Sequence, residues 1–303
     1  MNAFELMNSL GLEGRVEAAI PMRELTTMRV GGAADCVVHA AGEQDIVNVM
    51  RACRENAVPL TLVGRGSNLV VRDGGLRGVV LHLGSAFADV AAEGNRVTAQ
   101  AGASMGALAR AAQRRSLAGL EFAEGIPGSV GGGVYMNTGA YGGEMSPVLE
   151  CARVLMPTGE IATLDAAALD MRYRHTALMA SGGVVLSATF RLQPDDPVQI
   201  AARMADYSQR RREKQPLQYA SSGSFFKRPE GYFAGKLIQD AGLKGASVGD
   251  AQISELHAGF LINRGSATAG DVLALMERVQ HEVEAQFGVK LEPEVRIIGE
   301  DEK

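Results

Sequence analysis

The chain has no surplus of basic charge, no apolar run long enough to cross a membrane, and only three cysteines. Each absence removes a class of function. With 30 Lys plus Arg against 35 Asp plus Glu in 303 residues, no positive field exists to neutralise phosphates, so nucleic acid is not expected as a partner. The first twenty residues contain Glu5, Glu13 and Glu17, and no later stretch approaches the roughly 20 apolar residues of a span. A cytoplasmic protein is expected. Cys36, Cys53 and Cys151 are odd in number and widely spaced, which fits reduced thiols rather than a disulfide framework. The five histidines form no HxxxH or HxH spacing, so a metal site is not expected. What is present, 46% hydrophobic residues in a chain of this length, suffices for about two domains.

Periodicity predicts a strand at DCVVHA (35–40), a helix at 43–57 with Ile46, Val49, Met50 and Cys53 on one face, and a second strand at 58–64. A glycine loop, GRGSN, follows this βαβ pattern at once. The next stretch, LVVRDGGLRGVVLHL, places Asp73-Gly74-Gly75 between two apolar runs and reads as a hairpin. A mixed region from about Val90 to Leu192 contains a helix near 104–115 and a strand-like VVLSATFRL at 184–192. At PDDP the texture changes, and a helix with the basic end QRRREK begins. That change sets the expected boundary: one domain over 1–194, itself split near 85–95, and a second over 195–303. The second contains a helix at 233–241, a strand at 257–263, and a long helix. Thr268 and Asp271 form a capping-box signal at its start and Gly288 ends it.

Residues 124–144, EGIPGSVGGGVYMNTGAYGGE, hold eight glycines and neither lysine nor arginine. Tight turns would explain some of them, since glycine accepts positive φ. The close approach of backbone amides to an anionic ligand would explain more, especially with the second glycine loop at 64–66. Both readings stay open on spacing alone. The missing lysine excludes a Walker motif, and Gly64-Arg65-Gly66 lacks the third glycine and the following helix of a dinucleotide fingerprint.

Taken together, LVGRGSNLVVRDGGLRGVVL, EGIPGSVGGGVYMNTGAYGGE, YRHT, SSGSFFKRP, FAGKLIQDAGLKG and LEPEVRIIG resemble, in order, the signatures of bacterial UDP-N-acetylenolpyruvoylglucosamine reductases. The resemblance spans about 25–299. It implies an α+β chain with the FAD-binding fold of vanillyl-alcohol-oxidase (PCMH) type, two small α/β subdomains plus a C-terminal α+β substrate-binding domain. The closing strand, about 289–299, would return toward the flavin. The short interval between Arg174 and Ser224 resembles the form of the enzyme without an inserted tyrosine loop. Ser67 stands where related flavoproteins that bind the flavin covalently often have histidine, so dissociable FAD is implied, with NADPH as hydride donor.

The implied reaction reduces UDP-GlcNAc-enolpyruvate to UDP-N-acetylmuramate for peptidoglycan. By resemblance Ser224 is the proton donor, Arg174 the carboxylate-binding cation, and Glu294 the residue that polarises or orients, although Glu292 is an equal candidate without the motif. A serine hydroxyl suits the role only because its target is a strongly basic enolate in a site without water. An arginine suits a carboxylate because its planar fork binds in two places. The implied cofactor contacts are Gly64, Arg65, Gly66, Ser67, Asn68 and Leu69 in the first loop. In the second they are Ile126, Pro127, Gly128, Ser129, Gly131 and Gly132, then Asn137, Gly139, Ala140 and Tyr141. Lys214, Lys227, Arg228 and His257 are the candidate substrate contacts, while Lys236 could equally be a solvated helix face. Thr176 stands where serine is usual and keeps the hydroxyl. His82 and His175 carry no role. No obligate protein partner is evident. Two other readings compete: an FAD oxidase of a sugar or hydroxy acid, and a nucleotide-sugar sensor without turnover.

Overall fold

The protein is described from a computed structural model covering residues 1–302. Contacts divide the chain into two interleaved units, the first made of Met1–Ala18, Cys36–Arg65 and Gly78–Arg210, the second of Ala19–Asp35, Gly66–Arg77 and Arg211–Lys303. The sequence reading instead expects a single cut at 194/195.

Two sheets lie wholly or mostly in the first unit. One has four strands in the order Arg15–Pro21, Ala33–His39, Leu76–His82 and Leu60–Val63, the last two parallel, with Val63 opposite His82. The helix Glu43–Glu55 buries Ile46, Val49 and Cys53 as its periodicity requires. Burial pushes the Cys53 thiol up to about 11, so it packs as a small apolar group. Nearby, Asp45 is 3% exposed and is stabilised there by three backbone donors, the amides of Glu13, Gly14 and Ala41. The other sheet is antiparallel, with the order Ile161–Leu164, Leu149–Leu155, Val184–Arg191, Arg96–Gln100 and Val90–Glu93. The helices Met105–Gln113 and Val130–Tyr135 contribute to the core beside it through Met105, Leu108, Val130 and Val134.

The second unit carries an antiparallel sheet in the order Ala220–Ser224, Phe260–Asn263, Ala251–Ile253 and Ser247–Val248. The helix Ala269–Phe287 buries Val272, Leu275, Met276, Val279 and Val283 in that unit's core, as the 3.6-residue period predicts. Both capping-box bonds at Thr268 and Asp271 are present, and Gly288 ends the helix at φ 66°.

One expectation is corrected. Leu69–Val71 and Leu76–His82 do not form a hairpin: the former pairs in parallel with the closing strand Arg296–Ile298, the latter joins the four-stranded sheet. The Asp73 turn does different work. Its carboxylate accepts from the amides of Ala269 and Gly270, at 2.9 and 2.8 Å, at the start of the long helix. A negative charge on otherwise unpaired first-turn amides is favourable there.

Candidate active site

In the second unit, Ser224 ends the strand Ala220–Ser224. Pairing with Phe260–Asn263 slips between Ser221 and Ser224, where Gly223 takes φ 75°. This is a β-bulge, a device that re-aims the following side chain, and it leaves Ser224 exposed. Phe225 and Phe226 come next, 1% and 3% exposed, and anchor the segment in the core. Residues 225–227 run against 292–294: the Lys227 amide donates to Glu292 O, the Glu294 amide to Phe225 O, and Phe226 bridges Pro293. Glu294 is thereby fixed one residue from Ser224's strand position. Asn68 completes the frame, since its Nδ2 donates to Glu294 O at 3.1 Å and its own carbonyl accepts from the Arg296 amide. The sequence-predicted Ser224, Glu294 and Asn68 thus come together.

The first unit holds Arg174. It sits with Tyr173 in a tight turn closed by reciprocal Arg172–His175 backbone bonds, at φ 51°. That is a strained value for a residue with a Cβ, costing about 1 kcal/mol. The strain persists because four contacts with the second glycine segment grip the turn. Asn137 Nδ2 donates to Arg172 O (3.2 Å), the Thr176 hydroxyl donates to Tyr135 O (2.8 Å), and the Arg174 guanidinium lies 3.5 Å from the carbonyls of Asn137 and Gly139. The Asn137 side chain is 1% exposed and also accepts from the Ser146 amide, so it braces the turn from inside. Tyr141 stacks its ring on Tyr207, 4.8 Å between centroids.

The two glycine loops meet within the first unit. A Cβ on Gly64 would lie 2.3 Å from Ser129 Oγ, the hydroxyl that also caps the helix Val130–Tyr135. Several glycines of the second loop answer to packing: a Cβ at Gly131, Gly133 or Gly143 would fall within 2.8 Å of Ala101, Met105 or Phe122. The amides of Gly131 and Gly132 are bonded inside the chain, to Ala101 O and to Ser129 Oγ. In the second unit Gly66 has φ 60° and a Cβ there would strike Leu25 O at 2.0 Å.

The candidate substrate contacts are scattered over the second unit. Lys214 is exposed at the basic end of the helix Pro197–Lys214. Lys227 pairs with Glu292 at 3.2 Å, an exposed pair of the sort worth about 0–1 kcal/mol and readily exchanged. The Arg228 guanidinium lies 3.9 Å from the centroid of the exposed Phe233 ring. His257 uses Nδ1 locally, accepting from the Gly259 amide, and its ring packs edge-on against Phe260. Burial pushes its pKa down. Lys236 pairs with Asp240 one turn on.

Over 282 residues, 93% of this chain and 92% of the relative, the sequence is 50% identical to a UDP-N-acetylenolpyruvoylglucosamine reductase of Clostridium novyi (strain NT). The chain belongs to the UDP-N-acetylenolpyruvoylglucosamine reductase family. The reductase of Clostridium perfringens (strain SM101 / Type A) is 47% identical over 301 residues, 99% of each chain. A crystal structure of the family's enzyme from Thermus caldophilus superposes with a TM-score of 0.82 at 35% identity, covering 94% of this chain and 99% of that one. Residues 215–298 match the family's C-terminal domain and residues 34–165 an FAD-binding domain. The glucose oxidase variant of Phl p 4, 15% identical with a TM-score of 0.51, shares the fold over 65% of this chain. The protein is an FAD-dependent oxidoreductase with the PCMH-type flavin fold.

The first unit's geometry fits that cofactor. Bare backbone at Gly64 lets two loops without lysine converge, which suits a pyrophosphate held mainly by backbone groups, with Arg65 the one cation the two loops carry. A methyl at Gly64 must displace Ser129. Gly64→Ala is therefore expected to weaken FAD binding by at least about tenfold, read by fluorescence titration of the flavin-free protein, with little loss of secondary structure.

Sequence reasoning missed Asn137 and Thr176 as braces of the arginine turn. The signal available was the retained hydroxyl in YRHT. Thr176 is 0% exposed, so Thr176→Val leaves Tyr135 O without its donor. The expected result is a kcat decrease of about tenfold with smaller change in KM, restored in Thr176→Ser.

Proposed function

We propose that the protein catalyses NADPH-dependent reduction of UDP-N-acetylglucosamine enolpyruvate to UDP-N-acetylmuramate, a step of peptidoglycan precursor synthesis in the cytoplasm. Bound FAD, held without a covalent link, supplies the hydride relay from the nicotinamide to the substrate's double bond. The chain's own groups handle charge and the proton. As hydride reaches the methylene carbon, negative charge builds on the neighbouring carbon and its carboxylate. Arg174 binds that carboxylate with its fork and stabilises the charge. Ser224 then delivers a proton to the carbanionic carbon, and Glu294 polarises the enolpyruvyl group or orients its neighbours. Lys214, Lys227 and Arg228 supply cations for the diphosphate. Lys227 can change partners because its bond to Glu292 is weak.

The observation that carries the reading is the Ser224–Glu294 frame. A bulge aims the serine, and two bonds, from the Glu294 amide to Phe225 O and from Asn68 Nδ2 to Glu294 O, hold the glutamate's backbone near it, at residues the family resemblance singles out. Isotopes test it. In D2O with unlabelled NADPH, the lactyl product should carry deuterium on the carbon attached to the ether oxygen. Peroxide formed without NADPH would favour the oxidase reading, and binding without any turnover the sensor reading.

A further inference from the structure

Two histidines outside the reacting groups form a half-buried polar chain that ends on the first glycine loop. His39 and His82 close neighbouring strands of the four-stranded sheet. Their Nδ1 atoms are 2.8 Å apart and their rings perpendicular, so one nitrogen donates and the other accepts. On the far side, His39 Nε2 lies 2.8 Å from a Glu17 carboxylate oxygen, off the N–H axis. On the near side, the His82 ring hydrogen-bonds the Gly64 backbone, a bond that favours a protonated ring and so ends on the carbonyl. With Nδ1 engaged by His39, the donor is His82 Nε2.

Two contacts, to Gly64 O and between the rings, take one ring proton each, and two neutral imidazoles carry two. The charged groups facing the pair are Glu17 and Arg15 on the first strand and Arg65 in the loop. His82 is neutral: burial first, then neighbouring charge, pushes it down to about 4.

We propose that the Glu17–His39–His82 chain is a positioning device for the cofactor loop, holding the Gly64 carbonyl so that the Arg65 amide faces the cofactor's pyrophosphate. The carbonyl of a residue and the amide of the next point in opposite directions across a trans peptide, so tying one aims the other. This rests on the assignment of the Gly64 loop to FAD.

The decisive experiment is nitrogen-15 NMR of histidine-labelled, FAD-loaded protein between about pH 6 and 8. We expect His82 neutral with its proton on Nε2. His82→Phe, which keeps a ring and loses the donor, should raise the FAD dissociation constant about tenfold. Stability gives a further readout. An unfolded histidine takes its proton near 6.5 and His82 only near 4, so the wild type loses stability as pH falls through that window, and His82→Phe should not show this share of the loss. A His82 proton on Nδ1, or unchanged FAD affinity in folded His82→Phe, overturns the proposal. If Gly64→Ala also binds FAD normally, the loop assignment beneath it fails instead.

Discussion

Ser224→Ala is expected to accept hydride from NADPH at the wild-type rate and to return the oxidised flavin band about 10²- to 10⁴-fold more slowly once the enolpyruvyl substrate is added. The structure makes this substitution clean. Ser224 is exposed, and its position is set by backbone pairing with Phe260, by the Gly223 bulge and by the buried Phe225 and Phe226 behind it. None of these depends on the hydroxyl. The change removes an acid and leaves the frame. Reoxidation at the wild-type rate would remove Ser224 from the mechanism. A fall in both half-reactions would point to damage at the flavin rather than to a lost proton donor.

Glu294→Gln is expected to slow the second half-reaction by about 10²-fold while leaving the first within about twofold. Here too the backbone does the holding. The Glu294 amide donates to Phe225 O and its carbonyl accepts from Asn68, contacts that glutamine keeps. Glutamine also matches the glutamate's shape, so the difference isolates the charge. Glu292→Gln serves as the control: Glu292 is exposed and its carboxylate pairs with Lys227, so its loss should leave reoxidation nearly unchanged. Equal effects of the two substitutions would show that the choice between the glutamates of LEPE was wrong.

How much of this was legible depended on how local each signal is. The long helix from Thr268 to Gly288 could be drawn from sequence because its cap, its stripe and its stop are all read within a few residues. The Asp73 turn could not. Its flanking runs look like hairpin strands, yet Leu69–Val71 takes as partner a strand from the far end of the chain, and no local pattern records a distant pairing. The glycines show a subtler gap. Turns and ligand approach were the two explanations visible in the sequence, while the structure adds a third, backbone packed against Ala101, Met105 and Phe122. Only neighbours in space can reveal that. Ser224, Arg174 and Glu294 are singled out by ordered motifs, not by their residue types. Asn137 was assigned to the cofactor by resemblance, and its buried side chain proves to brace the turn that bears Arg174. The histidine pair left a faint trace, two neighbouring apolar strands that each end in histidine.

The central claim is that these residues complete a two-step reduction, and anaerobic sequential mixing tests it most directly. The flavin band of the purified protein is followed while NADPH is added first and UDP-GlcNAc-enolpyruvate second. The account predicts bleaching in the first step and rapid return of the oxidised band in the second. A protein that bleaches and stays reduced in the presence of the enolpyruvyl substrate would contradict it.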